Sequence, residues 1–232
     1  MKKNLFMEYI LFLGFVLIGT SNSINLTDGL DGLAGGLSAI YFLTIGIISL
    51  IMFKYLTLEV ILTFIMLGST LGYLWHNFYP AKIFMGDGGS QFLGFMIATI
   101  PLYSTKGVTF EYNKLLLMII LASFPIFDTI AAIWRRIRDN RSIMSPDKMH
   151  LHHKFLNLGY TQKQTLLIIL GIQVLLCACV VLSIFLEKFK GTAFLMEALI
   201  FMCIFFAIMH YTNRAVIRKQ NKQQNESEDK EK

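Results

Sequence analysis

The sequence predicts an all-α fold: a polytopic integral membrane protein with about seven transmembrane helices. Three observations carry this. The chain has 232 residues, of which 55% are hydrophobic and only 16% charged, whereas a soluble domain carries roughly 25% charged residues. Charge-poor apolar runs of about membrane-spanning length recur along it. The polar residues that interrupt them gather in three loops instead of dividing evenly between two faces.

The apolar runs are about 5–23, 35–53, 57–76, 89–104, 113–134, 164–186 and 192–211. The first contains Glu8 and follows Lys2 and Lys3, which resemble the positive n-region of a signal peptide. The polar stretch after it leads straight into a motif, however, so it reads as a span. The fourth is short and contains Pro101; the fifth contains Pro125, which withholds an N–H from the helix. No separate soluble domain fits in the remainder. Residues 1–211 read as one transmembrane domain, and 212–232, polar and without aromatics, as a disordered cytoplasmic tail.

Lysines and arginines divide seven to one side and fourteen to the other. The positive-inside rule then puts the loops holding Asn25, Lys82 and Arg135–Lys163, with the C-terminus, in the cytoplasm. Lys2 and Lys3 fall on the opposite side. The net charge of +6 is accounted for by loops beside an anionic membrane face, and no nucleic-acid module is visible. Cys177, Cys179 and Cys203 all lie inside apolar runs with neither metal-ligand spacing nor disulfide logic, and read as small buried hydrophobes.

The first polar loop holds "NLTDGLDGLAGG". Asn25, Thr27 and Asp28 could cap a helix, with glycines allowing a tight turn. A cap needs one acid, though, and Asp28 and Asp31 would share a face if the segment were helical. Carboxylates beside hydrocarbon are costly and usually mark a site; paired oxygens suit a hard cation or ligand hydroxyls. The second loop holds "KIFMGDGGSQFLG", with Asp87 at the start of the next apolar helix. It reads as a helix cap or as an oxygen ligand for the magnesium that accompanies phosphate, with helix N–H groups as phosphate donors and Lys82 as a cationic partner.

The third loop follows Arg135, Arg136, Arg138 and Arg141 with Asp147, Lys148 and "HLHH". The arginines are topology anchors or anion partners. His150 and His153 are spaced i, i+3, with His152 directed elsewhere. No cysteine lies near them, so zinc fits poorly, and histidines donating to phosphate or sugar oxygens fit better. Asp128 stands one turn after Pro125 and shares a face with Arg135. It reads as a polar repair of the proline kink or as an orienting group for the site.

In order and spacing, "NLTDGLDGLAGG", "KIFMGDGGSQFLGF", "PIFDTIAAIWRRI" and "SPDKMHLHHKFLNLGYTQKQ" resemble the polyprenyl-phosphate N-acetylhexosamine-1-phosphate transferases of glycosyltransferase family 4. The likeness runs from about Asn25 to Gln164. "HLHH" looks more like the undecaprenyl-phosphate N-acetylglucosamine-1-phosphate branch than the muramoyl-pentapeptide branch. The resemblance implies transfer of a sugar 1-phosphate from a UDP-N-acetylhexosamine to undecaprenyl phosphate, with release of UMP, at the cytoplasmic face of a bacterial cell membrane. It implies Mg2+ as cofactor with Asp87 as its ligand, and Asn25, Asp28 and Asp31 organising the nucleotide site. His150, His152 and His153 would contact the sugar phosphate, with Arg135, Arg136 and Lys82 as anion partners. The expected partners are the UDP-sugar, undecaprenyl phosphate and the bilayer, with a homodimer left open and no nucleic acid.

One departure stands out. The family carries an Asp-Asp pair on a loop upstream of "NLTDG", and no such pair occurs in this sequence. The chain is therefore expected to be the C-terminal part of the family fold, from a truncated gene or a misplaced start. That expectation keeps a second function open: a catalytically inactive member that only binds nucleotide sugar. A transporter using intramembrane acids is the third reading; its acids should line a path across the bilayer, and here they crowd one side.

Overall fold

The computed structural model describes residues 2–53, 56–103, 114–143, 145 and 149–228. Asp147 and Lys148 of the sequence reading lie outside these. The elements are α1 (Lys2–Thr27), α2 (Leu33–Phe53), α3 (Leu58–Asn77), α4 (Gly86–Tyr103), α5 (Lys114–Leu121), α6 (Ser123–Arg138), α7 (Leu151–Asn157), α8 (Gln162–Ser183) and α9 (Lys188–Glu228). Among the described residues there is no strand.

Helix α2 is the hub. Its Tyr41, Phe42, Ile45 and Ile48 are buried, and it packs against α1, α3, α4 and α8. The Tyr41 hydroxyl donates to the Ile97 carbonyl at 2.8 Å, so the one polar atom of this core ring is satisfied and pins α4 to α2. Helices α1 and α4 meet at Gly94, where a Cβ would stand 2.6 Å from the Ser21 Cα. Only glycine permits so close an approach of two backbones. Large apolar side chains elsewhere point outward: Phe15 on α1 is 76% exposed and Phe189 on α9 is 86% exposed. On helices of this length such faces belong against lipid.

Among the described residues five helices, α1, α2, α3, α8 and α9, are long and apolar enough to cross a membrane. The expected fourth span, α4, falls short of them, because its first turn is Gly-Asp-Gly-Gly. The expected fifth span is not one straight helix: α5 and α6 form a pair bent by 82°, which makes six crossings if the pair counts as one. The bend has a local cause. Pro125 has no N–H to give the Leu121 carbonyl four residues earlier. Gln173 of α8, 1% exposed, donates its Nε2 to that carbonyl at 2.8 Å. The repair of the proline kink thus comes from Gln173 and not from Asp128.

Helix α9 continues through residues 212–228 to Glu228. The added residues are mostly Lys, Arg, Gln and Glu, which favour helix once a span has nucleated it. Helix α8 starts with a reciprocal cap between Thr161 and Gln164 that fixes its entry after the third loop.

Candidate active site

The first two polar loops are stitched together by side chains. Asn25 is in the last turn of α1, and its Nδ2 donates to Asp87 Oδ1 at 3.1 Å and to Ser90 Oγ at 2.8 Å. Asp31 Oδ2 accepts the Ala81 N–H at 3.0 Å. Asn77, at the end of α3, accepts the Gly32 N–H at 3.0 Å and donates to the Ile83 carbonyl at 2.8 Å. Two glycines take positive φ here, Gly32 at 77° and Gly86 at 64°, which lets the chain turn sharply into α2 and α4.

This geometry alters the helix-cap readings. Asn25 reaches across to α4, and Thr27 donates back to the Ser23 carbonyl. Asp28 and Asp31 lie in a turn, not a helix, so it is the turn that brings them together. Asp87 stands exposed in the first turn of α4 and accepts from Asn25. Lys82 is exposed on the same loop, its backbone N–H bonded to the His76 carbonyl.

The three carboxylates share one electrostatic field. Burial pushes the Asp28 carboxyl above the usual carboxylate range, and the charges of Asp87 and Asp31 push it the same way. A concentration of negative charge that raises its own protonation is suited to a cation. Among the described residues no three His, Cys, Asp or Glu side chains lie close enough to make a protein-only cage. Oxygen donors of this kind fit magnesium, which keeps waters and takes one or two carboxylates together with substrate phosphates.

The histidine segment packs against the first loop. His152 is 3% exposed, and its ring occupies the space beside Gly29, where a Cβ would stand 2.7 Å from the His152 Cε1. Burial, together with the neighbouring His153, lowers the His152 pKa to about 4. The ring is therefore neutral near neutral pH. The His150 and His152 rings are nearly parallel, with centroids 6.1 Å apart, and His153 lies 4.2 Å from His152. His150 stands at the residue before α7 without a side-chain capping bond, and its Nδ1 lies 2.9 Å from Asp128 Oδ2. Arg135 and Arg136 are buried at the end of α6. Arg136 donates to the Ile143 carbonyl at 2.6 Å, lacing the loop after its own helix.

Of the residues the sequence singled out, Asn25, Asp28, Asp31 and Asp87 come together, and His152 is brought to the edge of the same turn. Asn77 and Gly29 did not stand out in the sequence. An asparagine at a helix end and a glycine inside a motif look ordinary until the opposing loop is placed against them.

Residues 2–105, which carry α1 to α4 and the acid loops, match the family described as glycosyl transferase family 4. The chain is 46% identical over 154 residues to a Bacillus subtilis (strain 168) protein named "Probable undecaprenyl-phosphate N-acetylglucosaminyl 1-phosphate transferase", covering 66% of this chain and 42% of the relative. It is 40% identical over 164 residues to the Mycobacterium leprae (strain TN) decaprenyl-phosphate N-acetylglucosaminephosphotransferase, covering 64% of this chain and 41% of that one. It is 36% identical over 176 residues to the Escherichia coli (strain K12) undecaprenyl-phosphate alpha-N-acetylglucosaminyl 1-phosphate transferase, covering 73% and 46%. The chain spans less than half the length of these curated relatives. Over residues 2–105, which carry the acid loops, the chain is similar to glycosyl transferase family 4, and the three relatives named here are N-acetylglucosamine phosphate transferases.

Proposed function

We propose that this chain carries the site that transfers N-acetylglucosamine 1-phosphate from a UDP-sugar to undecaprenyl phosphate, releasing UMP and starting a cell-wall or surface glycan. The observation that carries the reading is the gathering of Asp28, Asp31 and Asp87 at one patch by two cross-linked loops. The site faces the cytoplasm of a bacterial cell, on the side where Lys and Arg concentrate.

In the reaction an oxygen of the lipid phosphate bonds to the sugar-bearing phosphorus. The bond from that phosphorus to the bridging oxygen of UMP breaks, and UMP leaves with the bridging oxygen. The lipid phosphate is already ionised near neutral pH, so no strong base is required. Positioning and charge neutralisation supply most of the acceleration. Asp87, with Asp28 beside it, would hold Mg2+, which when bound neutralises pyrophosphate charge. Asn25 orients Asp87 through its amide. The exposed Lys82 adds positive charge for the nucleotide phosphates, and the histidine segment forms the sugar-phosphate wall. The polyprenyl chain has a fitting place in an apolar cavity of about 350 Å³ among α1, α4, α5 and α6, lined by Phe15, Ile97, Met118 and Ile130.

The test uses the full chain in lipid nanodiscs with undecaprenyl phosphate, UDP-N-acetylglucosamine and Mg2+. UMP release and a lipid-linked sugar are expected, and Asp87→Asn should lower the rate about a hundredfold or more. A folded chain that releases no UMP overturns the reading. A variant that matches the parent removes Asp87 from the site.

A further inference from the structure

Asp128 is an acid inside a bilayer-length segment, 5% exposed, on the helix that follows the bend. An acid there is costly unless fully engaged. Both its oxygens are in use. Oδ1 accepts the Leu151 backbone N–H at 2.9 Å, and Oδ2 lies 2.9 Å from His150 Nδ1. A carboxylate only accepts, so Nδ1 carries the hydrogen and Nε2 is the ring atom left for a ligand. The Leu151 bond fixes the carboxylate plane, and the two bonds together tie α6 to the start of the histidine segment. Asp128 needs no partner elsewhere, because the proline kink is already repaired by Gln173.

We propose that Asp128 is a positioning residue that sets the tautomer and orientation of His150, and through it presents Nε2 to the phosphate-bearing substrate. The role of His150 toward substrate rests on the transferase reading above; the pairing of Asp128 with His150 does not. A buried acid that only anchored α7 would use the Leu151 N–H and be indifferent to the state of the imidazole.

Asp128→Asn separates the two. The Leu151 N–H demands an acceptor, so the amide oxygen stays there and the amide NH2 turns toward His150. Nδ1 must then accept, and the hydrogen moves to Nε2. Such a swap is costly in the serine-protease triad, where asparagine in place of aspartate leaves the imidazole in the wrong tautomer. The measurement is two-bond proton–nitrogen correlation of 15N-histidine-labelled full chain, with kinetics on the same samples. A parent His150 protonated at Nδ1 and a variant protonated at Nε2 are expected. A kcat loss of about tenfold or more should accompany the swap, with KM for the UDP-sugar within about threefold.

In a His150→Gln background the Asp128→Asn change should cost nothing further, because a residue acting through another has no separate effect. An unchanged His150 spectrum in Asp128→Asn overturns the proposal, as does a swapped tautomer with parental kcat. A further tenfold loss in the His150→Gln background overturns it as well. If the parent chain shows no turnover, the transferase reading fails, and the imidazole spectra still decide the pairing.

Discussion

His152 gives the acid turn a neutral wall. Its ring is buried against Gly29, and its pKa of about 4 lies below the ordinary histidine value of 6.5. The folded state therefore binds its proton less readily than the unfolded chain. The stabilising contribution is complete above pH 6.5 and is lost as pH falls toward 4, because protons taken up by the unfolded chain pull the equilibrium away from the fold. At pH 5 the loss should be on the order of 2 kcal/mol. Thermal unfolding of the chain in detergent at pH 7.5 and pH 5 checks this against His152→Gln. The parent should lose more stability between the two pH values than the variant; equal losses would show that the ring's titration is not coupled to folding. Spacing in the sequence set His152 apart from His150 and His153, and the resemblance gave all three one role, contact with the sugar phosphate. Their separate situations, one bonded to Asp128, one buried on a glycine and one beside it, come from the turn at Gly29 and the acid on α6. Spacing within the motif carries no information about either.

At the scale of elements, the bend between α5 and α6 was half legible. Pro125 marked the position, but nothing in the sequence linked it to Gln173, 48 residues further on, whose side chain reaches the orphaned Leu121 carbonyl. The bond is a pairing across the bundle, invisible to any local pattern. Gln173→Leu should cost about 1 kcal/mol, as hydrogen bonds between membrane helices do. Replacing Pro125 by Ala returns an N–H to the Leu121 carbonyl, so in that background Gln173→Leu should cost much less. Unfolding free energies of the four variants form the cycle that measures this coupling. Additive costs would mean that Gln173 acts on something other than the bend. The other long elements followed their apolar runs closely, since in a bilayer a run near 20 residues has little choice but helix. Two departures have different roots. Helix α4 gives up apolarity at its first turn to place Asp87, and α9 runs on past its apolar stretch because its polar continuation favours the helix already started.

For the molecule as a whole, composition and its long apolar runs made the membrane architecture readable before any coordinates. What they could not supply was the way the loops meet. Asn25 and Asp87 are 62 residues apart and Asp31 and Ala81 are 50 apart, joined by bonds that depend on the packing of α1 against α4 and of α2 against α3. Asn77 is the residue in which that assembly is most concentrated. One amide plane takes the Gly32 N–H on its oxygen and gives its NH2 to the Ile83 carbonyl. Neither loop can open without breaking a bond to the same side chain, so the two should unfold locally as a single cooperative unit. Hydrogen exchange reads this directly: the amides of Gly32 and Ala81 should open with one shared free energy, and Asn77→Ala should speed both together. If Gly32 alone sped up, the loops would be independent neighbours. With shared opening, the acid patch behaves as one closed object, and a nucleotide that orders either loop stiffens the other without touching it.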